Sequence, residues 1–160
     1  MKPCLFCSII NEKEAAIKVY EDDYCLAFMD IFPISDGHVL LIPKPHSEKL
    51  DDQDKNIQMH LYLTANEIIA AQRKAGFGKN GTHFLINDGI DTNQHIQHVH
   101  IHLIPRKKKD NLNFAYKIFM HFSGLFGFRS KEDKLENIAS QIRENMVTTI
   151  TDSPLLKKVS

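Results

Sequence analysis

The sequence predicts an α+β domain: three short strands, a long helix, two more strands, a mostly antiparallel sheet and a helical tail. Three observations carry this. His98-Val-His100-Ile-His102-Leu-Ile alternates imidazole with apolar side chains, the period-two pattern of a half-buried strand. Between residues 51 and 76, Ile57, Leu61, Thr64, Ile68 and Ala71 recur three or four apart, the spacing of one helix face. Residues 17–21 and 24–29 are strand-like runs joined at Asp22-Asp23, which reads as a hairpin.

The chain opens on Cys4-Leu-Phe-Cys7. Three cysteines, two of them in one CxxC, do not make a disulfide framework, so metal or redox use is expected instead. No strand precedes the pair, which disfavours a thioredoxin-type motif, and a zinc site needs two further ligands. Cys25, amid Tyr24, Leu26 and Phe28, reads as a buried small hydrophobe. Asp30 ends the second strand and either caps the loop that follows or holds a sugar hydroxyl pair, with Phe28 and Ile31 beside a base. A third strand spans 38–42, stopped by Pro43-Lys-Pro45. Ile69 and Ala70 widen the apolar face of the helix, which Gly76 and Gly78 end. His60 and Met59 read as packing or surface residues.

Residues 82–86 form a fourth strand, and 87–94 a turn-rich loop leading to the histidines. The strand of alternating histidines should send Val99, Ile101 and Leu103 into a core and leave His98, His100 and His102 on the other face. Arg106-Lys-Lys-Lys109 reads as a solvated turn that could also steer an anion. Phe114, Ile118, Phe119 and Phe122 make a helical aromatic stripe, expected to be core or a dimer contact, broken at Gly124 and Gly127. Ser130 should cap a last helix carrying Leu135, Ile138 and Ile142, and residues 151–160 look frayed.

The 160 residues fit one domain, and 42% hydrophobic with 25% charged residues is ordinary for a soluble one. Net charge is zero, so there is no basic field for nonspecific nucleic-acid binding. The N-terminus is too polar for a secretory signal and no run reaches the length of a membrane span, so a cytoplasmic location is expected.

Three imidazoles on one strand can do two kinds of chemistry. A neutral ring, with an ordinary pKa near ~6.5, can attack phosphorus if its other nitrogen donates to a carbonyl, while a neighbouring ring donates to a phosphate oxygen. Alternatively, all three could bind a catalytic metal.

The motif His98-Val-His100-Ile-His102-Leu-Ile resembles the HφHφHφφ signature of the histidine-triad (HIT) family of nucleotide-binding hydrolases and transferases. Cys4-Leu-Phe-Cys7-Ser-Ile-Ile, Leu26-Ala-Phe-Met-Asp-Ile, Gly37-His-Val-Leu-Leu-Ile-Pro-Lys-Pro-His46, Asn87-Asp-Gly and Gln94 fall in the family's order and spacing. The resemblance implies a HIT-like fold with a five-stranded antiparallel sheet and a long helix over residues 1–106. Residues 107–160 would form a C-terminal helical extension packed on the same domain. It also implies a homodimer and a site for a purine nucleoside 5'-phosphate.

By motif position, the resemblance makes His100 the nucleophile, His102 an α-phosphate ligand and His38 the buried histidine nearby. Asp30 would accept the ribose hydroxyls, Phe28 and Ile31 would flank the base, and Asn87 and Gln94 would lie on the phosphate side. In the zinc-bearing branch, Cys4, Cys7, His46 and His98 would hold a structural Zn2+. Two departures stand out. Asn93 replaces a common Gly, and His95 replaces a Ser or Thr that contacts the scissile phosphate or leaving group. The expected activity is hydrolysis of nucleoside phosphoramidates or dinucleoside polyphosphates; the alternative is a zinc-stabilised nucleotide-binding or adaptor protein with little turnover.

Overall fold

A computed structural model describes residues 4–123, 125 and 129–146. In chain order it contains α1 (Leu5–Ile10), β1 (Lys18–Glu21), β2 (Cys25–Met29), β3 (Val39–Pro43), α2 (Lys55–Lys74), β4 (Thr82–Ile86), β5 (Ile101–Pro105), α3 (Asn111–Phe122) and α4 (Glu132–Glu144). The strands form one antiparallel sheet in the order β1-β2-β3-β5-β4. β5 thus inserts between β3 and β4, which centres the histidine segment in the sheet.

Both faces of the central strands are covered. On one face, Ala27, Val39, Leu41, Ile101 and Leu103 pack with Leu61 and Ile68 of α2 and with Leu135, Ile138 and Ile142 of α4. On the other, Leu26, Phe28, Leu40 and Ile42 meet Phe6 and Ile9 of α1. β2, β3 and β5 are therefore buried along their whole length, as strands covered on two sides must be. This corrects the half-buried histidine strand. Regular pairing begins at Ile101, His98 and His100 lie in the segment entering β5, and all three imidazoles are buried. The alternation survives as a difference between two interiors.

The long helix begins later than expected. Leu50–Asp52 is a separate 3-10 turn, and Asp54 caps α2 by accepting from the Asn56 N–H. The last helix starts on Lys131 with no side-chain cap; Ser130 instead donates its N–H to the Ile31 carbonyl. The break at Gly124 and Gly127 and the tail 151–160 lie outside the described residues. The aromatic stripe does not act as one face. Phe119 is exposed, Phe114 stacks on His83, and Phe122 turns toward the histidines.

Asp22 holds the β1–β2 turn. It accepts from the Tyr24 and Cys25 N–H groups, from the Tyr20 hydroxyl at 2.8 Å and from His60 at 2.6 Å. Burial pushes its carboxyl up, but the donors, His60 foremost, outweigh this and hold it below the usual carboxylate range. A carboxylate depressed in the folded state stabilises at pH above its unfolded pKa, and that contribution fades as pH falls toward the folded value. Asp22→Ala should cost roughly 2–4 kcal/mol near neutral pH, since several charged hydrogen bonds go at once. Urea unfolding of both proteins should show the gap closing below about pH 4.

Gly37 feeds the chain into β3 at φ +85°, where a Cβ would lie 3.0 Å from the Phe77 ring and 3.2 Å from Pro105. A side chain is excluded twice there, by conformation and by space, and the next residue, His38, is thereby set in the interior.

Candidate functional site

Register explains why the chemistry converges. Phe28 pairs with Leu40, Leu40 with His102, and His102 with Leu85, and directly paired residues share a face. Asp30, His38 and His100 keep the same parity along their strands, so Phe28, Asp30, His38, Leu40, His100 and His102 all gather on the α1 side. A cavity of about 550 Å³ opens there. Of the predicted residues, Phe28, Asp30, Ile31, Asn87, His95, His100 and His102 line it. His38 is wholly buried behind His102.

Gln94 does not line the cavity. Its Oε1 accepts from Gly89 N–H and its Nε2 donates to the Glu48 carbonyl, both at 2.8 Å, so it ties the 87–94 loop to the segment after β3. Asn93 has φ 60° and ψ 41°, the left-handed region that Gly occupies freely and Asn tolerates best among the others. Its replacement of Gly thus keeps the turn. His95 is exposed and donates from Nε2 to the Phe122 carbonyl at 3.1 Å, linking the histidine segment to α3.

The triad hydrogen bonds define donors and acceptors. His100 Nδ1 lies 2.7 Å from the His98 carbonyl, so it carries the proton and Nε2 carries the lone pair. Burial lowers the pKa of His100, which keeps the ring neutral at pH 7. The Ile34 N–H points at His38 Nδ1, which must accept it, or a buried backbone donor is orphaned. His38 Nε2 then donates to His102 Nδ1 at 3.0 Å, and His102 is left with a proton on Nε2. That Nε2 is buried with no hydrogen-bond partner among the described residues. Burial holds His38 down to about pKa 4, against the pull of Asp30, and holds His102 well below the imidazole range. The relay therefore ends in a neutral N–H donor on a residue lining the cavity.

Cys4, Cys7, His46 and His98 form a separate cluster whose ligand atoms all lie within 4.8 Å of one another. His98 and His46 Nδ1 are 3.2 Å apart, and the sulfurs stand 3.4–3.7 Å from these nitrogens. His98 Nε2 donates to the Pro43 carbonyl at 2.9 Å, which turns Nδ1 toward the thiols. Two thiols and two imidazoles at this spacing can hold a four-coordinate ion.

Sequence reasoning missed Phe6, His121 and Phe122. The Phe6 ring meets His98 and His100 edge-on at centroid distances of 5.8 and 5.3 Å. Phe122 meets His102 at 5.2 Å, which overturns the reading of the aromatic stripe as core or dimer contact alone. His121, buried at the end of α3, sits between Asp30 and His102. None of residues 106–109 lines the cavity; Arg106 pairs with Asp110 and stacks on the Phe114 ring, and Lys107 pairs with Asp36.

The model of the HIT domain matches residues 11–109. A HIT-like protein of Borreliella burgdorferi is 38% identical over 115 residues, 71% of this chain and 83% of its own length. The adenylylsulfatase HINT3 of Arabidopsis thaliana is 38% identical over 113 residues, 68% of this chain and 55% of its own length. A zinc-bound histidine triad family protein of Mycobacterium smegmatis superposes with a TM-score of 0.72 at 29% identity, covering 89% of this chain and 92% of the other. With the triad at the cavity, the five-stranded sheet that carries it and a family match over most of the chain, this protein is a member of the HIT family.

Proposed function

We propose that the protein is a nucleotide hydrolase that cleaves a phosphorus–nitrogen or phosphoanhydride bond of a purine nucleoside 5'-phosphate derivative through a nucleotidyl-His100 intermediate. The observation that carries this is the 2.7 Å bond from His100 Nδ1 to the His98 carbonyl, which reserves Nε2 as a lone pair. Attack forms a bond from Nε2 to phosphorus and breaks the bond to the leaving group, which departs with the electron pair and takes up a proton. Water then attacks the same phosphorus; the bond to Nε2 breaks, its electrons return to the ring and water gives up a proton. His102 Nε2–H stands ready for a phosphate oxygen, where charge builds in the transition state.

In this reading Asp30 accepts ribose hydroxyls, Phe28 and Ile31 flank the base, and Asn87 contacts the phosphate. Gln94 acts indirectly by holding the loop. His95 faces the leaving group while anchoring α3. The cluster of Cys4, Cys7, His46 and His98 takes structural zinc. Tetrahedral bonds of about 2.0–2.1 Å to nitrogen and about 2.3 Å to sulfur put nitrogens about 3.3 Å apart and sulfur about 3.6 Å from nitrogen, close to the spacing found. Zinc there would neutralise the thiolates and fix His98, whose carbonyl orients His100. A homodimer in the cytoplasm belongs to the same reading; Tyr62 and Phe84 leave adjoining rings exposed beside edge strand β4.

The test is a rapid acid quench of the enzyme with an adenosine or guanosine phosphoramidate, a dinucleoside polyphosphate and, in view of the Arabidopsis relative's name, adenylyl sulfate. A nucleotide mass adduct on the peptide containing His100 is expected with at least one of them. AMP or GMP binding with no adduct and no turnover of any of these substrates favours the binding-module reading.

A further inference from the structure

α3 is apolar on two sides. Phe114, Ile118 and His121 recur at helical spacing and face the domain. Phe114 stacks on His83, Ile118 is half-buried, and His121 is buried beside the Phe32 carbonyl. Leu112, Tyr116 and Phe119 repeat the same spacing two residues earlier, which at 3.6 residues per turn sets them roughly 200° around the helix. They point to solvent: Leu112 is 90% exposed, Phe119 66% and Tyr116 59%. A surface helix ordinarily turns its apolar side chains inward and its polar ones outward. Three large apolar side chains together on the outward face of one short helix form a patch, and such a patch marks an interaction surface.

Charge identifies the partner. Between Arg106 and Arg129 six residues are basic and one, Asp110, is acidic, and five of the chain's ten phenylalanines lie there. The whole chain has as many acids as bases, so the rest of it carries the acidic excess. The nearby acids are already taken: Asp110 by Arg106, and Asp36 by Lys107 and Lys134. Lys108 and Lys109, just before α3, and Lys117 on its side are exposed, with no ion-pair partner among the described residues. A second copy packed on this face about a two-fold axis would bring the lysines of one protomer toward those of the other. Residues 147–160 offer Asp152 against Lys157 and Lys158, so the end of the chain does not supply the missing acids. A crest of Leu, Tyr and Phe among lysines matches a bilayer with anionic headgroups: the apolar side chains enter the headgroup–acyl boundary and the ammonium groups meet phosphate. Such a helix lies in the surface. Among the described residues no helix is long and apolar enough to cross a membrane.

We infer that the outward face of α3, with Leu112, Tyr116 and Phe119 at its crest and Lys108, Lys109 and Lys117 around them, docks this protein on an anionic membrane surface. The inference does not rest on the nucleotide reading. Docked so, the chain holds its cavity, which His121 lines from the opposite side of the same helix, close to the lipid headgroups.

The test is co-sedimentation of the full-length protein with vesicles of phosphatidylcholine alone and of equal parts phosphatidylcholine and phosphatidylglycerol. The wild type should partition onto the anionic vesicles at least about 10-fold better than onto the neutral ones, and less well as salt rises. The double variant Leu112→Gln with Phe119→Gln should weaken partitioning at least about 10-fold through lost apolar burial. Lys108→Glu with Lys109→Glu should weaken it by about the same factor through lost charge. All four side chains are exposed, so both variants should melt like the wild type. The chain has no tryptophan, so Phe119→Trp reports the contact directly, and its emission should shift to the blue with anionic vesicles. This probe answers even if a double variant melts early. No partitioning by the wild type, equal partitioning onto both kinds of vesicle, double variants that bind like the wild type, or a Phe119→Trp emission unmoved by anionic vesicles overturns the proposal. So does a lower oligomeric state of the Leu112→Gln, Phe119→Gln variant in analytical ultracentrifugation with vesicle binding intact, which assigns the face to a second copy.

Discussion

Replacing His100 by Ala is expected to lower turnover by at least about 10⁴-fold, the scale seen when a covalent nucleophile is deleted, while AMP or GMP binding changes only a few-fold. The split follows from geometry. In the proposed mechanism His100 supplies the attacking lone pair, whereas Asp30, Phe28, Asn87 and His102, which line the same cavity, would remain to hold the ligand. The ring also packs edge-on against Phe6 at 5.3 Å, so some stability is lost, and binding should be read well below the melting temperature. The nucleotide adduct must vanish with the turnover. A His100→Ala protein that retains wild-type turnover would reject His100 as the nucleophile. His102→Ala should behave differently: a loss of about 10²–10³-fold, typical of one transition-state donor, with the adduct still formed slowly.

Removing the zinc proposed for the Cys4, Cys7, His46 and His98 cluster should give the second large effect. Purified protein should carry one zinc per chain, unchanged by reductant. A strong chelator, or Cys4→Ala, should cost about 3–5 kcal/mol, which for a chain of this size is a melting drop of roughly 10 °C or more. The cost is large because the cluster joins distant parts of the chain. Cys4 and Cys7 stand at α1, His46 follows β3, and His98 precedes β5. Thiols must lose their protons to bind as thiolates, so the stabilisation should weaken as pH falls. Turnover should also fall, by about 10-fold, because a misplacement of about an ångström at a reacting group is costly and His98 carries the carbonyl that orients His100. Metal analysis and calorimetric melting check both statements. Metal-free protein with an unchanged melting curve would remove zinc from the account.

Much of the site could be read from the chain because it depends on local spacing. His98, His100 and His102 sit two apart, so an extended segment must put them on one side. Asp30 and Phe28, or His38 and Leu40, obey the same rule on their own strands. The order of hydrophobic stripes and turns likewise gave the strands and the long helix to within a few residues. Local patterns could not tell whether the histidine face meets water or a second core, because that depends on α1 folding back across the sheet with Phe6. They also could not tell which tautomers the rings adopt: the Ile34 N–H and the His98 carbonyl decide that, through contacts made only when the strands pair.

The sequence by itself determined the sheet, the long helix and the residue types gathered at its centre, because strand and helix periods are properties of neighbouring side chains. Tertiary structure alone decided that His121 and Phe122 enter the cavity and that Gln94 stays out of it. The reason is physical: a helix records which residues share a face, but the surface that face meets is chosen by packing against distant segments, as the His121 bond to the Phe32 carbonyl shows across 89 residues of chain.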